Sequence, residues 1–346
     1  MASIQPCGVH LVGSICLPSS EAVFRQATTH LPGRLRRIPD GETQLRQSFT
    51  FFQQGAFKDA PEVLKKYDAS FNPAPVDPVS PEELEAVVNK LGDNIQTSYD
   101  VYAKESYATF CKLREEGVIP KGVKFQVSMP CPVDVLVLIA EPYQAALEPL
   151  YEAALIRDLK KIEENIPAED LAIQWDIASP FAMMEGALWP HFKPYVPDAR
   201  DHIKKMAVRL GNAVSPGVEL GFHLCYGDIG HRHFVEPRDL GLIVDIATAV
   251  FNGIDRQITW IHVSAPKERD DEAYFAPLKD LPLGNTELYL GVVQPRDEEG
   301  TRRRIAAASK VVNNFGIATE CGMGRTPTED FVPTMEIAAA VSAPVF

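Results

Sequence analysis

The chain has 346 residues, 45% of them hydrophobic and 23% charged, and its formal net charge is −13 at pH 7. This composition is typical of a globular protein long enough to bury a large core, which argues against disorder. The net negative charge would repel phosphate backbones, so nucleic acid is not an expected partner.

The amino-terminal stretch MASIQPCGVHLVGS has no basic region followed by a long apolar run, and no apolar window is long enough to cross a bilayer. We therefore expect a cytoplasmic protein without a membrane partner. The six cysteines are widely spaced, so free thiols or metal ligands are expected rather than a disulfide framework. The sequence does not decide whether the chain forms a homo-oligomer.

Apolar runs of strand length recur along the chain, and stretches long enough for helices separate them. The predicted strands lie near Gly8–Gly13, Leu35–Gly41, Val123–Met129, Leu171–Ile177, Val218–Cys225, Ile258–Val263, Glu287–Val293 and Ile317–Cys321. Strands that alternate with helices in this number predict an α/β fold, a (β/α)8 TIM barrel formed by residues 1–346 as a single domain.

Helix start signals appear between the predicted strands. At Ser80-Pro81-Glu82-Glu83 a capping serine precedes proline and acids, and this helix is predicted to run to about Glu116. Other helices are predicted at Val133–Glu164, Ala199–Leu210, Pro237–Phe251, Glu299–Phe315 and Thr328–Ala340. The proline-containing segment around 50–79 is predicted to be a lid or an irregular insertion.

A metal site is predicted where strand ends meet. His223 and Cys225 are two residues apart, so both side chains project from the same face of a strand. Cys321 ends the last predicted strand and His262 the sixth, and barrel closure brings such ends to one mouth. We predict zinc bound by His223, Cys225 and Cys321, with His262 either a ligand or a residue lining the site. A buried cysteine beside a hydrogen-bonded histidine is the structural alternative.

The loop after the fifth predicted strand contains three further polar candidates. Asp228, His231 and His233 are candidate catalytic acids, bases or substrate-orienting groups. Solvated or capping roles are the alternative for each of them.

Residues after other strands are candidates for substrate binding. Gly13 and Ser14 end the first predicted strand, where a glycine lets a substrate approach backbone amides closely. Glu42 follows the second strand and could receive an ammonium group. Asp176 ends the fourth strand, either as a site residue or as a helix cap.

Together these motifs resemble the catalytic barrel of the cobalamin-independent methionine synthases, over nearly the whole chain and in the same order. Val12-Gly13-Ser14 and Gly41-Glu42 are similar to the family's Ile-Gly-Ser and Gly-Glu, which hold the amino-acid end of homocysteine. Asp176 falls where the family has Gln-Ile-Asp-Glu-Pro. His223-Leu224-Cys225-Tyr226 and Cys321-Gly322 are similar to its zinc-binding His-Met-Cys-Tyr and Asp-Cys-Gly. The loop from Tyr226 to His233 resembles a less characterised branch of single-barrel proteins.

The chain departs from the family at three points. His262 aligns with the family's zinc-binding glutamate. Gln294, a candidate substrate-binding residue, stands in the loop that carries a catalytic histidine in the methionine synthases, and an amide cannot shuttle a proton as imidazole does. No counterpart of the family's folate-binding half is found, so a methyl donor is expected to differ or to be held otherwise.

The resemblance implies a zinc-dependent transferase that activates a thiol for methyl or alkyl transfer on a small amino-acid-like substrate. Zinc suits this chemistry because coordination removes the proton of a thiol near pH 7. A lyase or decarboxylase acting on a small organic acid is the alternative, since the wider superfamily includes uroporphyrinogen decarboxylase, which works without metal. A metal-storing or non-catalytic barrel is a third reading, disfavoured because acids and histidines converge on one predicted mouth.

Overall fold

The computed structural model describes residues 5–68, 73–185, 193–229, 232–233 and 235–346. Eight parallel strands form one sheet in the order β1-β10-β9-β8-β5-β4-β3-β2, and a two-stranded antiparallel hairpin, β6 with β7, follows β5. The strands are β1 (Val9–His10), β2 (Arg37–Pro39), β3 (Lys124–Pro130), β4 (Leu171–Ile177), β5 (Glu219–Leu224), β6 (Asp228–Ile229), β7 (Arg232–His233), β8 (Trp260–Ser264), β9 (Glu287–Val293) and β10 (Gly316–Thr319). The prediction of a single-domain (β/α)8 barrel is confirmed at the level of fold.

Helices surround the sheet. They are α1 (Ser20–His30), α2 (Pro81–Leu91), α3 (Tyr99–Glu115), α4 (Pro132–Leu136), α5 (Glu141–Asn165), α6 (Ser179–Met184), α7 (Ala199–Ala213), α8 (Gly241–Gly253), α9 (Glu272–Phe275), α10 (Glu298–Ala308) and α11 (Phe331–Val341). In the described part of the chain, no helix is both long and apolar enough to cross a membrane.

Two helices predicted as continuous are each divided in two. The predicted helix from Ser80 breaks between α2 and α3, where Gly92 and Ser98 both have positive φ. The segment predicted at Val133–Glu164 forms α4 and α5, with a non-helical Ala140 before α5. Helix α1 was not predicted at all, although Ser19 caps it by accepting a hydrogen bond from the Ala22 amide.

The insertion predicted around 50–79 is irregular in its described part. It contains the 3₁₀ helices Phe49–Phe57 and Pro61–Val63, and residues 69–72 lie outside the described residues. Thr50 and Phe57 are buried, and the Thr50 hydroxyl donates to the Asp134 carbonyl at 3.0 Å. This segment therefore packs on α4, which follows β3 beside the barrel mouth.

Strand register places two predicted metal-site histidines and one predicted substrate-binding acid side by side. Asp176 of β4 pairs with His223 of β5, which pairs with His262 of β8. Partners in a parallel pair project from the same face of the sheet, so these three side chains share one side of the sheet. All three are buried.

The barrel is not continuous between β1 and β2, because these strands stand at the two ends of the sheet order. Two backbone hydrogen bonds bridge this seam, from the Val9 amide to the Arg34 carbonyl at 2.9 Å and from the Ile15 amide to the Gly41 carbonyl at 2.7 Å. Gly13 and Glu42 therefore lie on opposite sides of the seam.

Gly221→Ala will test the packing beneath the site. A Cβ at Gly221 would lie 1.9 Å from Trp260 Cε2, and Trp260 is fully buried with its indole N–H donating to Gln174. We expect the variant to lose about 3 kcal/mol of unfolding free energy, the upper part of the overpacking range. Chemical denaturation checks this, with Gly55→Ala as the control because a Cβ there meets nothing within 4 Å. Equal midpoints for Gly221→Ala and the parent would contradict it.

Candidate metal centre and its two cavities

The side chains of His223, Cys225 and Cys321 converge at the barrel mouth, with their ligand atoms all within 4.8 Å of one another. Cys321 Sγ lies 3.7 Å from His223 Nε2. The contact with Cys321 raises the pKa of Cys225, and burial raises it further. Residues far apart in sequence meet here because two strands, β5 and β10, end at the same mouth.

His262 is not brought into that group. Its Nδ1 lies 2.6 Å from His223 Nδ1, and its Nε2 lies 3.1 Å from the Thr319 carbonyl oxygen. Burial lowers the pKa of His262 to about 3 and the pKa of His223 well below its usual value, so both rings are neutral at pH 7. In this arrangement each ring nitrogen of His262 faces a protein partner, and the prediction of His262 as a metal ligand finds no geometric support.

A small cavity of about 110 Å³ adjoins the cluster. Gly13, Ser14, Glu42 and Asp176, which were predicted to bind substrate, all line it. Its lining also contains aromatic and aliphatic side chains. Phe49, Phe51 and Tyr67 come from the irregular segment, and Val137 and Leu138 follow α4. The cavity thus combines acids at the barrel end with apolar walls toward the irregular segment.

The carboxyl group of Glu42 has no hydrogen-bond donor among the described residues, and only 8% of the residue's surface is exposed. Burial raises the pKa of Glu42 to about 8, Asp40 adds to the increase and Arg46 opposes it. The Glu42 backbone has a φ of 44°, in the left-handed region that is costly for residues other than glycine. A strained, buried and unpartnered carboxylate is suited to accept hydrogen bonds from a ligand.

Asp176 accepts a hydrogen bond from Gln174 of the same strand. The Gln174 Oε1 accepts hydrogen bonds from Trp260 Nε1 at 3.2 Å, and since indole nitrogen only donates, the orientation of the amide is fixed. Gln174 Nε2 therefore donates to Asp176 Oδ1 at 2.8 Å. Burial raises the pKa of Asp176 well above its usual value, and Glu42 raises it further.

Asp134 is a third acid in the small cavity that was not predicted. Its carboxylate accepts the Ser179 amide at 2.6 Å and the Cys131 thiol at 3.1 Å. Burial raises its pKa to about 6, and the hydrogen bond from Ser179 opposes the increase. The available signal was its position just beyond the end of β3, near the strand-end position that singled out Asp176 in β4.

A larger cavity of about 560 Å³ also reaches the thiols. It shares with the small cavity the lining residues Cys225, Gly227, Cys321, Gly322 and Arg325. The two thiols thus line both cavities. Ser264 also lines the larger cavity, and its buried hydroxyl has no hydrogen-bond partner among the described residues.

His233 and Gln294 line the larger cavity together with Glu320. His233 Nε2 lies 2.6 Å from Glu320 Oε1, its Nδ1 lies 3.2 Å from Glu236, and Gln294 Nε2 donates to Glu320 Oε2 at 2.9 Å. Burial disfavours protonation of His233, but the two carboxylates outweigh it and raise its pKa to about 9. The charged ring therefore ties the β6–β7 hairpin to the loop after β10.

The remaining candidates are placed as follows. Asp228 lies on β6, paired in register with His233, and His231 lies outside the described residues. Gln294 is separated from Glu42 and Asp176, because it lines only the larger cavity. The Ser14 hydroxyl accepts a hydrogen bond from the Gly324 amide at 3.3 Å. This bond joins the segment after β1 to the loop that contains Cys321.

No known protein-family profile matches the sequence, and no curated protein does. A solved structure, that of a B12-independent methionine synthase from Shewanella sp. W3-18-1 in complex with selenomethionine, is similar with a TM-score of 0.56 and 14% sequence identity. The similarity covers 97% of this chain and 96% of that chain. At this identity the likeness shows a shared barrel fold, that of the cobalamin-independent methionine synthases, and nothing finer.

Proposed function

We propose that this protein is a zinc-dependent enzyme that activates a thiol for methyl or alkyl transfer on a small amino-acid-like substrate. The observation that carries the proposal is the group of His223, Cys225 and Cys321, whose two thiols line two cavities. One cavity would hold the substrate thiol and the other the alkyl donor, and the three side chains would hold the metal where the cavities share lining residues.

The donor set fits zinc. Zinc prefers nitrogen and sulfur ligands at about 2.0 to 2.3 Å in tetrahedral geometry, which separates a nitrogen ligand from a sulfur ligand by about 3.6 Å. The 3.7 Å between His223 Nε2 and Cys321 Sγ agrees with this value. Three protein ligands leave a fourth position for the substrate sulfur.

Zinc bound there would supply one chemical function, which is to hold a substrate thiol as thiolate near neutral pH. A substrate thiol in this form would attack the methyl or alkyl carbon of the donor, forming a carbon–sulfur bond while the bond from that carbon to its leaving group breaks and the electron pair leaves on that group. Glu42 and Asp176 accept hydrogen bonds from the substrate ammonium, and the apolar wall excludes water from the sulfur.

The acidic lining of the small cavity favours an amine-bearing substrate over an organic acid. Glu42, Asp134 and Asp176 contribute three carboxyl groups, against one guanidinium from Arg325. A substrate ammonium would stabilise the ionised form of these carboxyl groups, whereas a substrate carboxylate would oppose it. A lyase or decarboxylase of a small organic acid is therefore the weaker candidate.

Metal content and thiol turnover test the proposal. Protein purified without chelator should contain about one zinc per chain. Incubated with amino-acid thiols and methyl donors, it should form thioethers, detected by mass spectrometry. Chelator treatment should abolish this turnover and added zinc should restore it. Substoichiometric zinc, or turnover indifferent to the chelator, would refute the proposed function.

A further inference from the structure

We infer that His262 is a positioning residue, which fixes the tautomer of His223 so that the metal has three protein ligands and an open fourth position. The inference rests on the zinc site of the proposed function and assigns a role that the resemblance does not imply, because the family's residue at this place is a ligand. Its basis is a chain of two hydrogen-bond contacts, from Thr319 to His262 and from His262 to His223.

The direction of each hydrogen bond follows from the chemistry of the groups. The Thr319 carbonyl oxygen only accepts, so His262 Nε2 must carry the proton. A neutral His262 then has a lone pair on Nδ1, which accepts the proton of His223 Nδ1 across 2.6 Å. His223 is left with its lone pair on Nε2, the atom that lies 3.7 Å from Cys321 Sγ.

These two contacts also join the strands that carry the proposed metal ligands. Thr319 ends β10 two residues before Cys321, His262 lies on β8, and His223 lies on β5. A shift of β10 against β5 would disturb the His262 hydrogen bonds as well as the distance between Cys321 Sγ and His223 Nε2. His262 therefore couples the ring orientation of His223 to the backbone position of Cys321.

The neighbouring strand β9 leaves room for the hydrogen bond between His262 and Thr319. A Cβ at Gly291 of β9 would lie 2.9 Å from Glu320 Cα, 3.0 Å from the Thr319 carbonyl oxygen and 3.1 Å from His262 Nε2. Any side chain at this position would press on both partners of the hydrogen bond and on the backbone that follows β10. The glycine therefore allows the close approach on which the hydrogen bond depends.

Zinc affinity and ring spectroscopy on the full chain test the inference. His262→Phe keeps a ring but removes both nitrogens, and should weaken zinc binding by roughly 10- to 100-fold, the usual cost of losing a partner of a metal ligand. His262→Gln keeps one acceptor and one donor and should recover most of the loss. Gly291→Ala should weaken binding in the same direction as His262→Phe. Competition with a chromogenic chelator measures all four proteins.

The parent protein supplies a readout that needs no variant. With ¹⁵N-labelled histidine, zinc should shift His223 Nε2 as a ligand nitrogen while His262 keeps a protonated Nε2. A ligand-type shift at His262, or parent-like affinity in folded His262→Phe, overturns the inference and leaves zinc binding intact. A parent that binds no zinc instead removes the proposed function, and the inference with it.

Discussion

Replacing Cys321 with serine will abolish zinc binding while the barrel stays folded. A hydroxyl does not ionise near pH 7 and is a poor zinc ligand, so affinity should fall by more than the 10- to 100-fold expected when only a ligand's partner is lost. The barrel should be preserved because Cys321 is only partly buried and lies beyond the end of β10. The unfolding free energy of the metal-free protein should change by less than about 1 kcal/mol.

Zinc content by atomic spectroscopy and thermal unfolding of the metal-free protein check this expectation. Cys225→Ser should also lose zinc binding, and it should lower stability more than Cys321→Ser because the Cys225 side chain is buried. Cys7→Ser is the matched control, since the Cys7 thiol is exposed and far from the cluster in the barrel. Full zinc retention by Cys321→Ser, or global unfolding of both site variants, would contradict a metal-activated thiol mechanism.

Replacing Glu42 with glutamine will make the protein more stable and less active. Burial raises the pKa of Glu42 to about 8, so near pH 7 folding must keep this group protonated, and the neutral amide removes that cost. The same change removes the group proposed to receive the substrate ammonium, and we expect kcat/KM to fall by about 100-fold, the usual cost of breaking a buried charge pair. Thiol turnover over a range of substrate concentrations measures this loss.

The gain in stability should depend on pH. The pKa of Glu42 is raised from 4.5 to about 8 on folding, so between these values the native protein binds more protons than the unfolded chain. The parent's unfolding free energy therefore falls as pH rises through this window, by at most about 1.4 kcal/mol per pH unit from this group. Glu42→Gln lacks this fall, so the two proteins should be equally stable near pH 4 and diverge toward pH 8.

Denaturation at several pH values tests the divergence. Glu105→Gln is the control, because Glu105 is exposed on α3 and the same change there should leave the pH profile unaltered. Parallel profiles for Glu42→Gln and the parent would show that Glu42 is ionised in the native protein at neutral pH. The stability and activity effects are separate measurements, so a loss of turnover without the stability gain would retain only the substrate-binding role.

The barrel was predictable from sequence because buried parallel strands are continuous apolar runs. β4 and β9 have the predicted bounds, Leu171–Ile177 and Glu287–Val293. β1 is shorter than predicted because pairing with β10 involves only Val9 and His10. Helix breaks were missed at Gly92 and Ser98, where the backbone has positive φ that a hydrophobic period does not reveal.

The site was predictable at the level of strand ends and not at the level of side-chain partners. The two-residue spacing of His223 and Cys225 identified a shared face, and barrel closure added Cys321. The same reasoning placed His262 at the mouth but could not fix its ring, because its orientation depends on the Thr319 carbonyl and on the space left by Gly291. The partition of the substrate candidates between two cavities likewise depends on packing between distant loops.

The seam between β1 and β2 gives the small cavity a compliant wall. Elsewhere the barrel is tied by hydrogen-bond ladders between strands, whereas the seam is bridged by two isolated backbone bonds and by side-chain hydrogen bonds such as those from Ser128 and Gln174 to the Val12 carbonyl. Parting these segments by a fraction of an ångström breaks no ladder, so it costs less than a similar movement between β4 and β5. The cavity can thus widen around a ligand while the opposite wall, which carries His223 and Cys225, keeps its geometry.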